Sequence, residues 1–412
     1  MAVGIIAEYN PFHNGHKYML QKVRYLAHNE PILVCISGSI TQRGEPAILD
    51  KWQRALAAVK NGADLVIELP AVFACRSAEA FGRGAVQLLS STGIVGTLAF
   101  GTKYPDIERL LDMAAMQPDD YMQELKDLLK AGHSYGAALG RLIAQKLSLP
   151  EDMLKEPNTI LALEYLRAIN RLKLEQGITI TPLPILRQGA GHNAAALEEG
   201  CHSFASGMAI RQAAISAYAS FDDIQQFVPQ ATFESLASAI SFPDTERLFP
   251  LLCWQLLASS PDKLRTILGM AEGLEHRLIQ SLGCNSYKNL IKYLSTRRYP
   301  AARIRRLLIH LLLGLEKRYA QAADTAGPLY IRVLAFNNLG RKLLKDIKEH
   351  CRLPVITKTA DYLSRLQMEN KEGFSPLQQM LYIDILSGNL RAMTMAKGSL
   401  YQDLLQSPIY VR

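Results

Sequence analysis

The sequence predicts an α/β protein: a Rossmann-like parallel sheet in the N-terminal half, then a mainly helical C-terminal region. In the first hundred residues short apolar runs alternate with helical patterns. Glycine or proline closes several of these segments, at Gly62, Pro70 and Gly101. From about residue 245 onward the pattern is leucine-rich and helical. Strands separated by single helices make right-handed crossovers and therefore a parallel sheet.

Taken in order, strands are expected at 3–7, 31–37, 64–69 and 97–100, with helices at 14–27, 51–61 and 78–90 between them. Residues 105–175 read as helices only, over 107–116, 121–130, 135–146 and 159–173. A strand at 177–183 returns to the sheet, and a helix follows at 205–219. The segment 220–243 has no strong period and contains two prolines, so the boundary between domains 1–220 and 221–412 is placed there. One small α/β element interrupts the helical half at about 328–358 and is a candidate module of its own. Ligands of parallel sheets bind at the carboxyl ends of strands, near the point where strand order reverses. The loops after Ala7, Ser37, Leu69 and Phe100 are therefore the places to look.

With 49% hydrophobic and 20% charged residues, the 412-residue chain is globular rather than disordered. Its longest apolar runs, such as 309–315, are far short of a membrane span. The start lacks the basic and apolar regions of a signal peptide, so the cytoplasm is the default compartment and no membrane partner is expected. Six scattered cysteines without a C-x-x-C pair read as small core residues. The net charge of +8 suggests an anionic partner. Between Lys292 and Arg306 there are six basic residues and no acidic one, with Tyr293 and Tyr299 among them. That mixture suits backbone phosphates and an unstacked base, although a solvated helix face has the same composition.

The chemistry points to His13-Asn14-Gly15-His16, which follows the first strand directly and opens the first helix. A helix N-terminus presents unpaired N–H groups and partial positive charge to phosphate. His13 and His16 share one helical face, where two imidazole donors can stabilise charge on an α-phosphate. Gly15 would let a flat base or ribose approach the backbone. Capping histidines on a surface helix are the plain alternative. A zinc site would need further ligands that the spacing does not supply.

H-x-G-H after the first strand resembles the signature of the adenylyl and cytidylyl transferases and the class I aminoacyl-tRNA synthetases. Ser206-Gly-Met-Ala-Ile210-Arg211 resembles their second signature, whose arginine places a permanent charge on the β,γ-phosphates. Longer strings are more specific: Glu8 to His16, Gln42 to Ala47, Asp50 to Arg54 and Gly62 to Pro70. On these the chain resembles the tRNA(Met) cytidine acetate ligase family, strongly over about residues 1–215. The resemblance implies an HxGH nucleotidyltransferase core that activates acetate with ATP as acetyl-adenylate; whether magnesium is held by side chains or arrives with the nucleotide stays open at this point. It then implies acetylation of the wobble cytidine of elongator tRNA(Met).

Carried over by position, His13 and His16 would be catalytic. The ATP site would comprise Ile6, Ala7, Glu8, Tyr9, Asn10, Pro11, Phe12, His13, Asn14, Gly15, His16, Lys17, Tyr18 and Met19, then Gly101, Asn158, Arg187, Ser206 and Arg211. Locally, Gly101 could be a strand-end turn, Asn158 a helix N-cap and Arg187 a solvated charge beside the glycines at 189 and 191. Arg43 and Lys51 are candidates for phosphate or tRNA, with surface pairing to Glu45 or Asp50 as the alternative. Arg297, Arg298 and Arg305 are the candidates for RNA in the basic stretch. Ser39-Ile40-Thr41, Met19 and Thr102-Lys103 depart from the family's pattern, and Lys103 would reverse a charge near the nucleotide. Two other functions stay open at this point: nucleotidyl transfer to a small phosphorylated acceptor, and RNA binding without catalysis.

Overall fold

A computed structural model describes residues 1–412 except 117–120, 134, 148–153, 155, 188–203, 217–221, 272 and 371–372. The glycine loop at 189–191 therefore lies outside the described residues, as does Cys201. Four parallel strands come early: β1 (Ala2–Ala7), β2 (Ile32–Ser37), β3 (Leu65–Leu69) and β4 (Val95–Thr102). β5 (Thr181–Leu186), β6 (Ile331–Phe336), β7 (Val355–Ile356) and β8 (Ile409–Tyr410) complete the sheet. Its order is β5-β4-β1-β2-β3-β6-β7, with β8 also beside β6.

The early strands are almost wholly apolar because helices cover both sheet faces. Alternate residues feed two cores. Ile6, Leu33, Cys35, Leu65 and Ile67 face one, and Val3, Ile5, Val34, Ile36 and Val66 face the other. Helix starts carry side-chain caps where the sequence has them, including Asp50 before Lys51–Lys60 and Ser77 before Ala78–Ser91.

Two expectations need correction. The return strand begins at Thr181, four residues later than expected at 177, because Gly177 (φ 69°) ends the helix Pro157–Gln176 with its N–H on Lys173 O. The element at 328–358 is not set apart. β6 pairs antiparallel with β3, Leu65 opposite Phe336, and carries β7 and β8 parallel to itself. The half expected to be helical thus supplies three strands to the N-terminal sheet. Its helices Leu248–Leu257, Tyr287–Leu294 and Ala301–Leu313 pack around a separate core that includes Leu252, Leu290 and Leu308. No helix among the described residues is long and apolar enough to cross a membrane.

Strand order reverses at β1, whose neighbours are β2 and β4. The carboxyl ends of β1, β4 and β5 open there into one cavity of about 620 Å³.

Candidate active site

The chain leaves β1 through Glu8 and turns at Tyr9, which takes a left-handed conformation (φ 50°) that costs on the order of 1 kcal/mol. The buried Tyr9 ring meets the edges of Phe12 and His16, both at 4.8 Å between centroids. His13 then caps the helix Asn14–Leu26. Its Nδ1 accepts from Gly15 N–H at 3.1 Å, and His16 Nδ1 accepts from His13 N–H at 3.2 Å. The two rings stack 3.7 Å apart. This is a capping box made of imidazoles, and it fixes both tautomers. A nitrogen that accepts carries no proton, so each ring proton sits on Nε2. Both histidines line the cavity.

The structure gives Gly15 a different reason from the one expected. A Cβ there would lie 2.9 Å from His13 Cε1 and 3.0 Å from His13 Nδ1. The missing side chain makes room for the His13 ring, not first of all for a ligand. Gly101 lines the cavity beneath Arg187, whose Cγ would stand 3.1 Å from a Cβ at Gly101. Arg187 N–H holds Thr102 O at 2.9 Å; the residue is exposed overall, while partial desolvation of its guanidinium lowers the pKa against the opposing charge of Glu156. Asn158 is not an N-cap: the helix begins at Pro157 and Glu156 is its cap residue. Asn158 Nδ2 is buried at the cavity with no hydrogen-bond partner among the described residues.

On the opposite wall Ser206 caps the helix Gly207–Ile215 through Ala209 N–H at 3.0 Å. A Cβ at Gly207 would be 3.1 Å from Asn10 O, so this helix lies close against the loop before His13. Arg211 Nη1 donates to Asn10 O at 2.7 Å, and its Nη2 is 3.9 Å from Glu45. Burial lowers the pKa of Arg211, while Glu45 and Glu8 oppose that shift. Glu45 also pairs with Arg305 at 2.7 Å. Glu8 Oε1 accepts from Gln42 N–H at 2.6 Å, and burial raises its pKa against the nearby charges of Arg54, Arg211 and Arg43.

Of the residues expected at the nucleotide, all but Pro11, Phe12, Asn14 and Lys17 line the cavity, and Arg43 joins them. Those four have other surroundings. Phe12 is wholly buried in the core beneath the loop, and Asn14 Nδ2 reaches away to Gln226 O at 2.8 Å. Lys103 is exposed, outside the cavity lining, over the Tyr104 ring at 5.8 Å.

Lys51 is the clear correction: it is fully buried and meets neither solvent nor cavity. Its ammonium bonds Glu68 Oε1 at 2.7 Å and also Asp403, while Arg332 joins the same carboxylates at 3.0 and 2.6 Å. A Cβ at Gly38 would collide with Glu68, so that glycine belongs to the same cluster. Arg54 is buried too. It donates to Glu8 O at 2.6 Å, to Leu49 O at 3.2 Å and to Gly38 O, tying the loops after β1 and β2 together. The basic stretch divides. Arg297 and Arg298 are exposed, with Arg297 3.0 Å from His133, whereas Arg305 is committed to Glu45. Tyr299 lies under Arg298 and Arg303 at 5.6 and 4.8 Å.

The apolar floor of the cavity went unread in the sequence: Phe81, Phe100, Leu161 and Tyr165. A signal was available, since Asn158, Leu161 and Tyr165 recur at helical spacing on one face.

A mostly parallel sheet whose reversal point carries a histidine-capped helix beside a half-buried arginine is a nucleotidyltransferase frame. The HIGH nucleotidyl transferase family model matches residues 1–404. A Caldanaerobacter subterraneus protein named tRNA(Met) cytidine acetate ligase is 38% identical over 377 residues, 89% of this chain and 90% of the relative. The Clostridium perfringens protein of that name is 33% identical over 423 residues, 99% of each. Among solved structures, apo Thermotoga maritima TmcAL aligns at TM-score 0.86 and 31% identity, over the whole of both chains. TmcAL bound with alpha-thio ATP aligns at 0.84 and 30%, again over the whole of both. The chain belongs to the HIGH nucleotidyl transferases and, among them, to the tRNA(Met) cytidine acetate ligase family.

Proposed function

We propose that this protein is an ATP-dependent ligase that forms N4-acetylcytidine at the wobble position of elongator tRNA(Met). An acetate oxygen attacks the α-phosphorus of ATP, and pyrophosphate leaves. The cytidine amine then attacks the acetyl carbon, and AMP leaves. The first step needs alignment and charge stabilisation rather than a protein nucleophile. His13 and His16 supply Nε2–H donors to the α-phosphate, each worth about 2.7–4 kcal/mol in the transition state. Arg211 attends the outer phosphates, with Ser206 holding its helix, and Asn158, Gly101 and Arg187 receive the nucleoside end. Among the described residues no group of three His, Cys, Asp or Glu could hold a metal ion. Magnesium in this reading comes with the triphosphate.

Arg43 at the cavity mouth and the exposed Arg297 and Arg298 would hold tRNA phosphates. Residues 221–412, beyond the strands they lend to the sheet, would carry the body of the tRNA. The substrates are those of the cytoplasm. What supports this reading above all is the full-length similarity to relatives of that name, in a chain that keeps the imidazole capping box.

The test incubates the protein with ATP, labelled acetate and total bacterial tRNA. Acetate-dependent AMP formation with label in tRNA is expected. AMP formation indifferent to acetate would sink the reaction, and acetate-dependent AMP with unlabelled tRNA would sink the acceptor.

A further inference from the structure

Among the described residues that line the cavity, two are carboxylates, Glu8 and Glu45, and they differ in kind. Glu45 is neutralised by Arg305 at 2.7 Å and faces Arg211 at 3.9 Å. Glu8 has no ion pair within 4 Å among the described residues. The only hydrogen bond its carboxylate makes among the described residues is the one Oε1 accepts from Gln42 N–H at 2.6 Å. A carboxylate beside a triphosphate repels it, so phosphate binding gives no reason for an acid at this position. Glu8 also sits at the end of β1, between the histidine cap and the Gln42–Arg43 edge of the cavity.

We propose that Glu8 is the base of the transfer step: its carboxylate accepts a hydrogen bond from the exocyclic amine of the target cytosine and takes the amine's proton. This rests on the acetyl-transfer reading above. That amine is a weak nucleophile, and the nitrogen becomes positive as it bonds to the acetyl carbon. The N–C bond forms, the C–O bond to AMP breaks with its electron pair on the phosphate, and one amine proton passes to Glu8. Carboxylates are the side chains that accept from the cytosine amine, so the same group would favour cytosine. Gln42 N–H fixes one oxygen and leaves Oε2 for the base. Burial, which raises the carboxyl's proton affinity, suits this role.

The test separates the two half-reactions in the full-length protein. Acetate-dependent exchange of pyrophosphate into ATP reads adenylate formation; labelled acetyl entering tRNA in a single turnover reads transfer. Glu8→Gln keeps an oxygen for Gln42 N–H but puts an NH2 where Oε2 would face the amine, a group that can neither accept from the amine nor take its proton. Transfer is expected to fall at least ~10²-fold more than exchange does, with little change in KM for tRNA. The retained exchange doubles as the control for folding. Equal losses in both half-reactions would overturn the proposal, as would transfer at the wild-type rate. A wild-type protein without acetate-dependent exchange would instead remove the acetate reading, and this assignment with it.

Discussion

Gly15→Ala tests whether the histidine cap is the working part of the site. The new Cβ would stand 2.9 Å from His13 Cε1 and 3.0 Å from Nδ1. Ordinary carbon contacts need about 3.5–4.0 Å, so the ring must retreat by about 0.5–1 Å. It then loses its bond to Gly15 N–H and its stack on His16. The lost cap costs about 1 kcal/mol, and the gain from glycine to alanine in a helix is about the same size. Stability should therefore stay within ~1 kcal/mol of wild type in urea unfolding. Displacement of a catalytic group by this much costs about 10²-fold in rate. Acetate-dependent pyrophosphate exchange should lose kcat by about that factor while KM for ATP moves little. An unchanged kcat with a raised KM would mean that Gly15 serves ligand approach instead, and the argument from His13 would fail.

Asn158→Ala removes a buried donor that has no partner among the described residues; KM for ATP should rise ~10-fold while unfolding free energy changes by less than ~1 kcal/mol. An unchanged KM would detach Asn158 from the nucleotide. Lys51→Met leaves Glu68 and Asp403 with Arg332 alone and should cost about 3–5 kcal/mol in urea unfolding, whereas a loss below 1 kcal/mol would contradict the buried cluster. Replacing Arg297 and Arg298 together by Ala should weaken tRNA binding and reduce its log–log salt slope by about 1.4–1.8, two phosphate contacts. An identical slope would move the RNA surface elsewhere.

Much of the nucleotide half was legible because its information is local. Apolar runs bounded by glycine and proline give β1 to β4, and the capping pattern gives the helix that starts at Asn14. The histidine box is local as well, closing over three residues. Lys51 was misread because what surrounds it is remote. Arg43 and Lys51 both follow β2 before the next strand, yet Lys51 is buried against Asp403, 352 positions away. No spacing rule connects those residues. The element at 328–358 was recognised as α/β from its pattern, but strand pattern does not say which sheet edge is vacant. The cavity floor stayed hidden for a third reason: Phe81 and Tyr165 are apolar residues on helices, and core packing predicts the same residues.

The remote contacts converge on one loop. Arg391 holds Ala47 O at 2.6 Å and Ile48 O at 2.9 Å, and Arg306 donates to Gln42 O at 3.3 Å. Gly44, at φ 75°, packs so tightly on the 301–313 helix that a Cβ would lie 2.6 Å from Arg306 N. Arg305 pairs with Glu45 on the same loop. All of these braces come from the C-terminal half, and the segment they hold lines the cavity through Thr41, Gln42, Arg43 and Glu45. Gln42 uses its carbonyl toward Arg306 and its N–H toward Glu8. The basic helix and the cavity carboxylate are thus joined through a single peptide segment. A shift of that helix against the sheet has to move Gln42, and with it the hydrogen bond that orients Glu8. On this geometry the C-terminal half is part of the active site's framework, whatever else it contacts.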